Sequence, residues 1–283
     1  QPFAPNSSKK LLILGDCDLD QSEQQSGQFC DRLHHCLSNG TSAHQVNTFT
    51  NPKATVQSWL ENKVPEGTYN IRACASQTNP SGEILACQKR RPSADELNLD
   101  KLIKEQDVVV LAGSKLPTPE RTGFDQDQEL IRNLKVHSDF INKVKENKKG
   151  CMMITPSMPV ANPQATPTET AALAEQVRYY NIVRESILLA NRRAQGYCKI
   201  IDGKRMLAPR ATGSRVPTID SPNVGEPVLA QGSLPGARTP NDQRFFAQQS
   251  CAAIKSSLSP TIPRSQPETR QNLAQRLPTP DRE

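Results

Sequence analysis

Aromatic side chains are scarce in this sequence: Phe, Trp and Tyr make up 4% of 283 residues, with a single Trp. The hydrophobic share is 35%, beside 23 prolines, where globular domains usually hold about 45–50%. The core is therefore thin for the length, and the deficit is concentrated in one part of the chain. No apolar run approaches the roughly 20 residues a helix needs to cross a bilayer, so no membrane span is expected. A G-X-Y period and sustained heptads are both missing, which excludes collagen and coiled coil. The chain is also too long to be a small disulfide-stapled scaffold. Its eight cysteines form no C-x-x-C and do not cluster with the four histidines. That spacing argues against a structural zinc site, no cofactor is expected for the first reading below, and the cysteine usage leans towards an intracellular, reducing compartment. No basic segment followed by an apolar one opens the sequence, so no leader is expected.

Charge is unevenly placed. The formal net charge is +6. Residues 204–283 hold 11 Lys+Arg against 6 Asp+Glu, and residues 1–203 hold 24 against 23. The same last 80 residues contain 11 of the prolines. A stretch rich in Pro, Ser, Gln and Arg buries too little apolar surface to offset the ordering of its backbone. The expected organisation is an N-terminal extension over 1–8, an α/β domain over 9–209, and a basic proline-rich extended arm over 210–283. Ser221-Pro222, Thr239-Pro240, Ser259-Pro260 and Thr279-Pro280 suit proline-directed phosphorylation or an extended polyproline ligand. The arm is expected to wrap a protein partner or large assembly. Nonspecific nucleic-acid contact is the other option, with only Phe245-Phe246 available for stacking.

Before the arm, strands alternate with helices. Lys10–Gly15 is a short apolar strand, and Phe29, Leu33, Cys36 and Leu37 mark a helix after it. Gln45–Phe49, Asp107–Leu111, Met152–Thr155 and Lys199–Ile201 read as further strands. Helices are expected around 54–63, after the capping box Ser93-x-x-Glu96, across about 126–148, and from Thr166-Pro167 to about Ala194. Continuous rather than alternating apolar strands imply a parallel sheet covered on both faces. The strands starting near Lys10, Asp107, Met152 and Lys199 are expected to be parallel members of it. In such folds the site lies at the carboxyl ends of the strands.

Three of those ends carry polar motifs: Gly15-Asp16-Cys17-Asp18, Ala112-Gly113-Ser114-Lys115, and Asp202-Gly203-Lys204-Arg205. Their order and spacing, over about residues 9–205, resemble the SGNH (GDSL-type) hydrolases. The resemblance implies a flavodoxin-like three-layer fold. It implies a nucleophile at Cys17 beside Asp16, an oxyanion region at Gly113 and Ser114, and a triad aspartate at Asp202. The match is partial. Cys17 replaces the family's serine, Lys115 stands where its asparagine belongs, and Arg205 stands where its histidine belongs. No histidine follows His137. A weak nucleophile needs an adjacent base, and a tetrahedral oxyanion needs fixed donors. The first expectation is thus a non-catalytic binding or assembly module of this type. The alternative is an esterase or thioesterase in which Lys115 or Arg205 lowers the Cys17 thiol pKa. A third reading takes Asp16 and Asp18, with Ser114 and Asp202, as a Mg²⁺-dependent phosphatase site resembling the haloacid-dehalogenase type. Trp59 reads as core, and His34-His35 lie mid-helix, too far apart in angle to chelate together.

Tyr69–Ser76 and Glu83–Arg90 flank Asn79-Pro80-Ser81-Gly82, a turn sequence. If Pro80-Ser81 centres a hairpin, residues whose numbers sum to 161 oppose one another. Cys74 faces Cys87, Ala73 faces Gln88 and Ile71 faces Arg90. Directly opposed Cβ atoms lie close to disulfide reach.

Overall fold

The computed structural model describes residues 8–15, 29–40, 43–51, 53–79, 82–112, 125–156, 160–161, 166–203, 228–229 and 240–258. Its strands are β1 (Lys10–Gly15), β2 (Gln45–Thr50), β3 (Tyr69–Asn79), β4 (Gly82–Arg90), β5 (Val108–Ala112), β6 (Gly150–Ile154), β7 (Val160–Ala161), β8 (Lys199–Ile201) and β9 (Val228–Leu229). The helices are α1 (Phe29–Ser38), α2 (Val56–Leu60), α3 (Leu99–Lys104), α4 (Gln126–Glu146), α5 (Pro167–Arg193) and α6 (Pro240–Leu258).

Seven strands form one mixed sheet in the order β4-β3-β2-β1-β5-β6-β8, and β7 pairs with β9 separately. β2, β1, β5, β6 and β8 are mutually parallel. Numbered among themselves they run 2-1-3-4-5, the flavodoxin-like order. Alternation along β1 explains the layers. Leu12 and Leu14 join Val109, Leu111 and Met153 beneath α2, α3, α4 and α5. Leu11 and Ile13 join Val108, Val110 and Met152 beneath α1 and α6. With helices on both faces the central strands β1, β5 and β6 are apolar along nearly their whole length, as the unbroken runs implied. Trp59 is buried in the first layer, edge-on to Phe49.

The hairpin is the antiparallel part. Cys74 opposes Cys87 and Ala73 opposes Gln88, down to Asn79 opposite Gly82. The expected Ile71–Arg90 pair is not made: Ile71 opposes Lys89, and Asn70 opposes Arg90. The register shift lies between Ile71 and Ala73, making Arg72 the extra residue of a β-bulge. The bulge has a packing cause. Ile71 and Cys74 both pack towards α1, and residues three apart share a face of a strand only across such an insertion.

Two local expectations also shift. The Ser93–Glu96 capping box forms, but on a 3-10 turn over Ala94–Leu97; Asn98 then caps α3 through Lys101 N. Within the segment read as an extended arm, Pro240–Leu258 is a helix. Its Phe246, Ala247, Cys251 and Ile254 are buried in the α1 layer. Apolar residues at 246, 247, 251 and 254 are helical spacing, a signal hidden by the polar composition around it.

Cysteines scattered along the sequence meet in space. Disulfides join Cys36 to Cys251, Cys74 to Cys87 and Cys151 to Cys198, with Cα separations of 6.3, 4.0 and 4.5 Å. Cys30 is disulfide-bonded as well. Among the described residues no cysteine is free, and no helix is long and apolar enough to cross a membrane.

Candidate functional site

The parallel register brings the strand ends level. Thr50, Gly15, Ala112, Ile154 and Ile201 are successive partners across the sheet. These strand ends therefore lie along one line. Strand order reverses between β1 and β5, where open α/β sheets form their binding crevice. The carboxyl ends of β1, β5 and β8 thus share one rim. Of the motif residues that follow them, Asp202 and Gly203 are described. Asp16, Cys17, Asp18, Gly113, Ser114, Lys115 and Arg205 lie outside the described residues.

Asp202 follows β8 and is paired with Arg184 of α5. Arg184 Nε donates to Oδ1 at 3.1 Å and Nη2 to Oδ2 at 2.6 Å, a two-pronged ion pair. Both side chains are mostly buried, at 17% and 15% exposure. Hydrogen bonding to Asp202 raises the Arg184 pKa above its ordinary value, so the guanidinium stays charged. Thr155, just past β6, donates its hydroxyl to Asp202 Oδ1 at 3.3 Å and accepts the Gly203 N–H at 2.9 Å. The carboxylate is thereby fixed to α5 and to the end of β6.

Gly203 is required by close approach. A Cβ there would lie 2.6 Å from the Thr155 carbonyl oxygen and 2.9 Å from Phe246 Cζ. Phe246 stacks on Phe29 at the start of α1, with ring centroids 4.6 Å apart. It is 5% exposed and closes the rim on the α1 side. Phe246, one of the two residues noted as available for stacking on bases, is spent inside the fold.

All four histidines of the sequence are described, and each is engaged elsewhere. His34 bonds Thr48 Oγ1 at 2.8 Å, and burial, then the charge of His35, pushes its pKa down to about 4. His35 reaches the Cys74 carbonyl and Ser76 Oγ on the hairpin. His44 Nδ1 accepts from Lys9 N at the opposite end of the sheet, and burial lowers its pKa. His137 sits between α4 and α5, bonded to the Asn133 carbonyl and to Ser186 Oγ, and burial pushes it down to about 4. Ser186 and Arg184 are two positions apart on α5, so they point roughly 200° apart around the helix. His137 and Asp202 thus face different sides of α5.

Arg184 and Thr155 were not legible as site residues. The available signal was weak: Arg184 is a cation directly beside the buried Val183, within the apolar stripe of α5.

No family model matches the chain, and no curated protein matches it. Among solved structures it is similar to a protein of Slackia heliotrinireducens described as an SGNH hydrolase. The two are 12% identical with a TM-score of 0.47, over 88% of this chain and 100% of that one. It is also similar to the acetyl xylan esterase AlAXEase, at 14% identity and TM-score 0.47, over 87% of this chain and 99% of that one.

Proposed function

We propose that the chain is an SGNH-hydrolase-like domain that does not catalyse ester hydrolysis and serves as a binding or assembly module. The observation that carries this reading is the pairing of Asp202 with Arg184. In a nucleophile–base–orienter arrangement the aspartate must receive an N–H from the base. Here a permanent cation holds both of its oxygens, and every histidine of the sequence is committed elsewhere. A guanidinium at that carboxylate also repels a divalent cation, which counts against the Mg²⁺ phosphatase reading. The proline-rich sequence on either side of α6 supplies extended-ligand chemistry for a protein partner.

The disulfides favour an oxidising compartment, since such bonds are rare where thiols are kept reduced. This revises the intracellular lean drawn from cysteine spacing.

Short-chain aryl esters test the proposal. Purified protein is expected to turn them over no faster than a Cys17→Ala variant. Turnover that depends on Cys17 would restore the esterase reading.

A further inference from the structure

Residues 1–203 are nearly neutral, yet eleven of their described cations gather at one end of the sheet. The N-terminal ends of the parallel strands and the C-terminal ends of α3, α4 and α5 meet at the end of the sheet opposite the candidate site. α4 and the turn after it bring Lys143, Lys145, Lys148 and Lys149. α3 brings Lys101 and Lys104, α5 brings Arg192 and Arg193, and the strand starts bring Lys9, Lys10 and Lys199. Against these eleven cations stand Asp100, Glu105, Asp107 and Glu146. Of the 24 basic and 23 acidic residues in 1–203, that leaves 13 and 19 elsewhere. The end of the sheet opposite the candidate site is therefore strongly positive.

Backbone and side-chain hydrogen bonds show that the patch is continuous. Asp107 N donates to the Lys10 carbonyl, and Gly150 N donates to the Asp107 carbonyl. Lys149 Nζ donates to the Lys104 carbonyl, and Tyr197 OH donates to the Lys149 carbonyl. From β1 to β8 the row of strand starts spans three strand spacings, about 14 Å.

Helix dipoles account for part of this. Cations in the last turns of α3, α4 and α5 complement the negative helix ends. Lys10 and Lys199 start strands, where no such field exists. Lys148 has φ 54°, a left-handed conformation that glycine or asparagine adopts more readily. Eight of the eleven are exposed, and Lys143 is the member paired with an acid, Asp100.

We propose that this basic end is a docking surface for an anionic polysaccharide. The chemistry of the patch favours that partner over other polyanions. Tyr197 is the aromatic residue there, and its ring is covered by Lys145 at 5.8 Å, so bases find no stacking platform. Among the described residues the exposed large apolar side chain is Ile131, near the other end of α4, so the described residues of the patch offer no side chain that inserts into lipid. The disulfides fit an oxidising setting.

Full-length, disulfide-intact protein is tested on immobilised heparin at 0.15 M salt. Lys104→Glu/Lys148→Glu/Arg192→Glu/Lys199→Glu is expected to weaken retention by about 30-fold or more and to flatten its salt dependence. Arg264→Glu/Arg270→Glu/Arg276→Glu/Arg282→Glu, which removes arm charge, is expected to leave retention within about twofold. The four Gln substitutions at the patch serve as a second set if the Glu variant fails to fold, and must weaken binding in the same direction. Equal retention of patch variants and native protein, or loss confined to the arm variant, overturns the proposal. Competition by duplex DNA as strong as by heparin of equal charge also overturns it.

Discussion

At the scale of single residues, the rim of the sheet is held by contacts with little room to adjust. Gly203→Ala places a Cβ against the Thr155 carbonyl oxygen, a backbone atom that cannot swing away. Overpacking of this kind costs about 1–3 kcal/mol, and chemical denaturation should read a loss in that range. Arg184→Leu leaves the Asp202 carboxylate mostly buried without its cation. Removing one partner of a fully buried pair costs about 3–5 kcal/mol. This pair keeps some exposure and Thr155 remains, so about 2 kcal/mol is expected. A double substitution, Arg184→Leu/Asp202→Asn, should recover part of that loss, and additive losses would show that the two side chains are not coupled. Asp202 could be singled out from sequence because it ends an apolar strand. Arg184 could not, because a lone arginine in a long helix is ordinarily a solvated residue and its partner is 18 positions away.

At the scale of elements, strand runs and their parallel order were readable because burial on both faces leaves unbroken apolar stretches. The Cys74–Cys87 pairing was readable from turn chemistry and counting. The bulge at Arg72 was not, since it arises from packing of Ile71 and Cys74 on α1, which no local pattern encodes. Helix α6 was missed for a similar reason. Its buried stripe is short, and proline-rich composition on either side outweighed it. The Cys36–Cys251 bridge ties this helix to α1 across 215 residues. Loss of a native disulfide commonly costs about 2–5 kcal/mol, so Cys251→Ser should lower the unfolding midpoint. It should also speed proteolysis within 240–258 ahead of the rest of the domain. Cleavage there at the native rate would mean that apolar packing alone retains α6. Phe246→Ala acts on the same contact by removing the ring between Phe29 and Gly203. A buried Phe→Ala change costs about 3–5 kcal/mol.

At the scale of the whole molecule, two buried imidazoles set its acid tolerance. Burial holds His34 and His137 at about 4, while both protonate near 6.5 in the unfolded chain. Between those values the unfolded state binds more protons, so stability rises with pH across that window. The contribution of the two histidines is therefore complete above about pH 6.5, falls as the pH drops towards 4, and levels off below. The shift for His137 alone corresponds to about 3 kcal/mol. Urea unfolding at pH 7.5, 5.5 and 4 should show this decline, and His137→Gln should flatten it; a native profile level from pH 7 to 4 would contradict the assignment. The fold and its acid response follow from burial, whereas the proposed lack of catalysis rests on one ion pair and on where four histidines lie. Intact-mass analysis after prolonged incubation with an aryl acetate tests that central claim most directly. The account predicts no stoichiometric acetyl adduct at the strand-end motifs. An adduct that maps to Cys17 or Ser114 and turns over with time would contradict it.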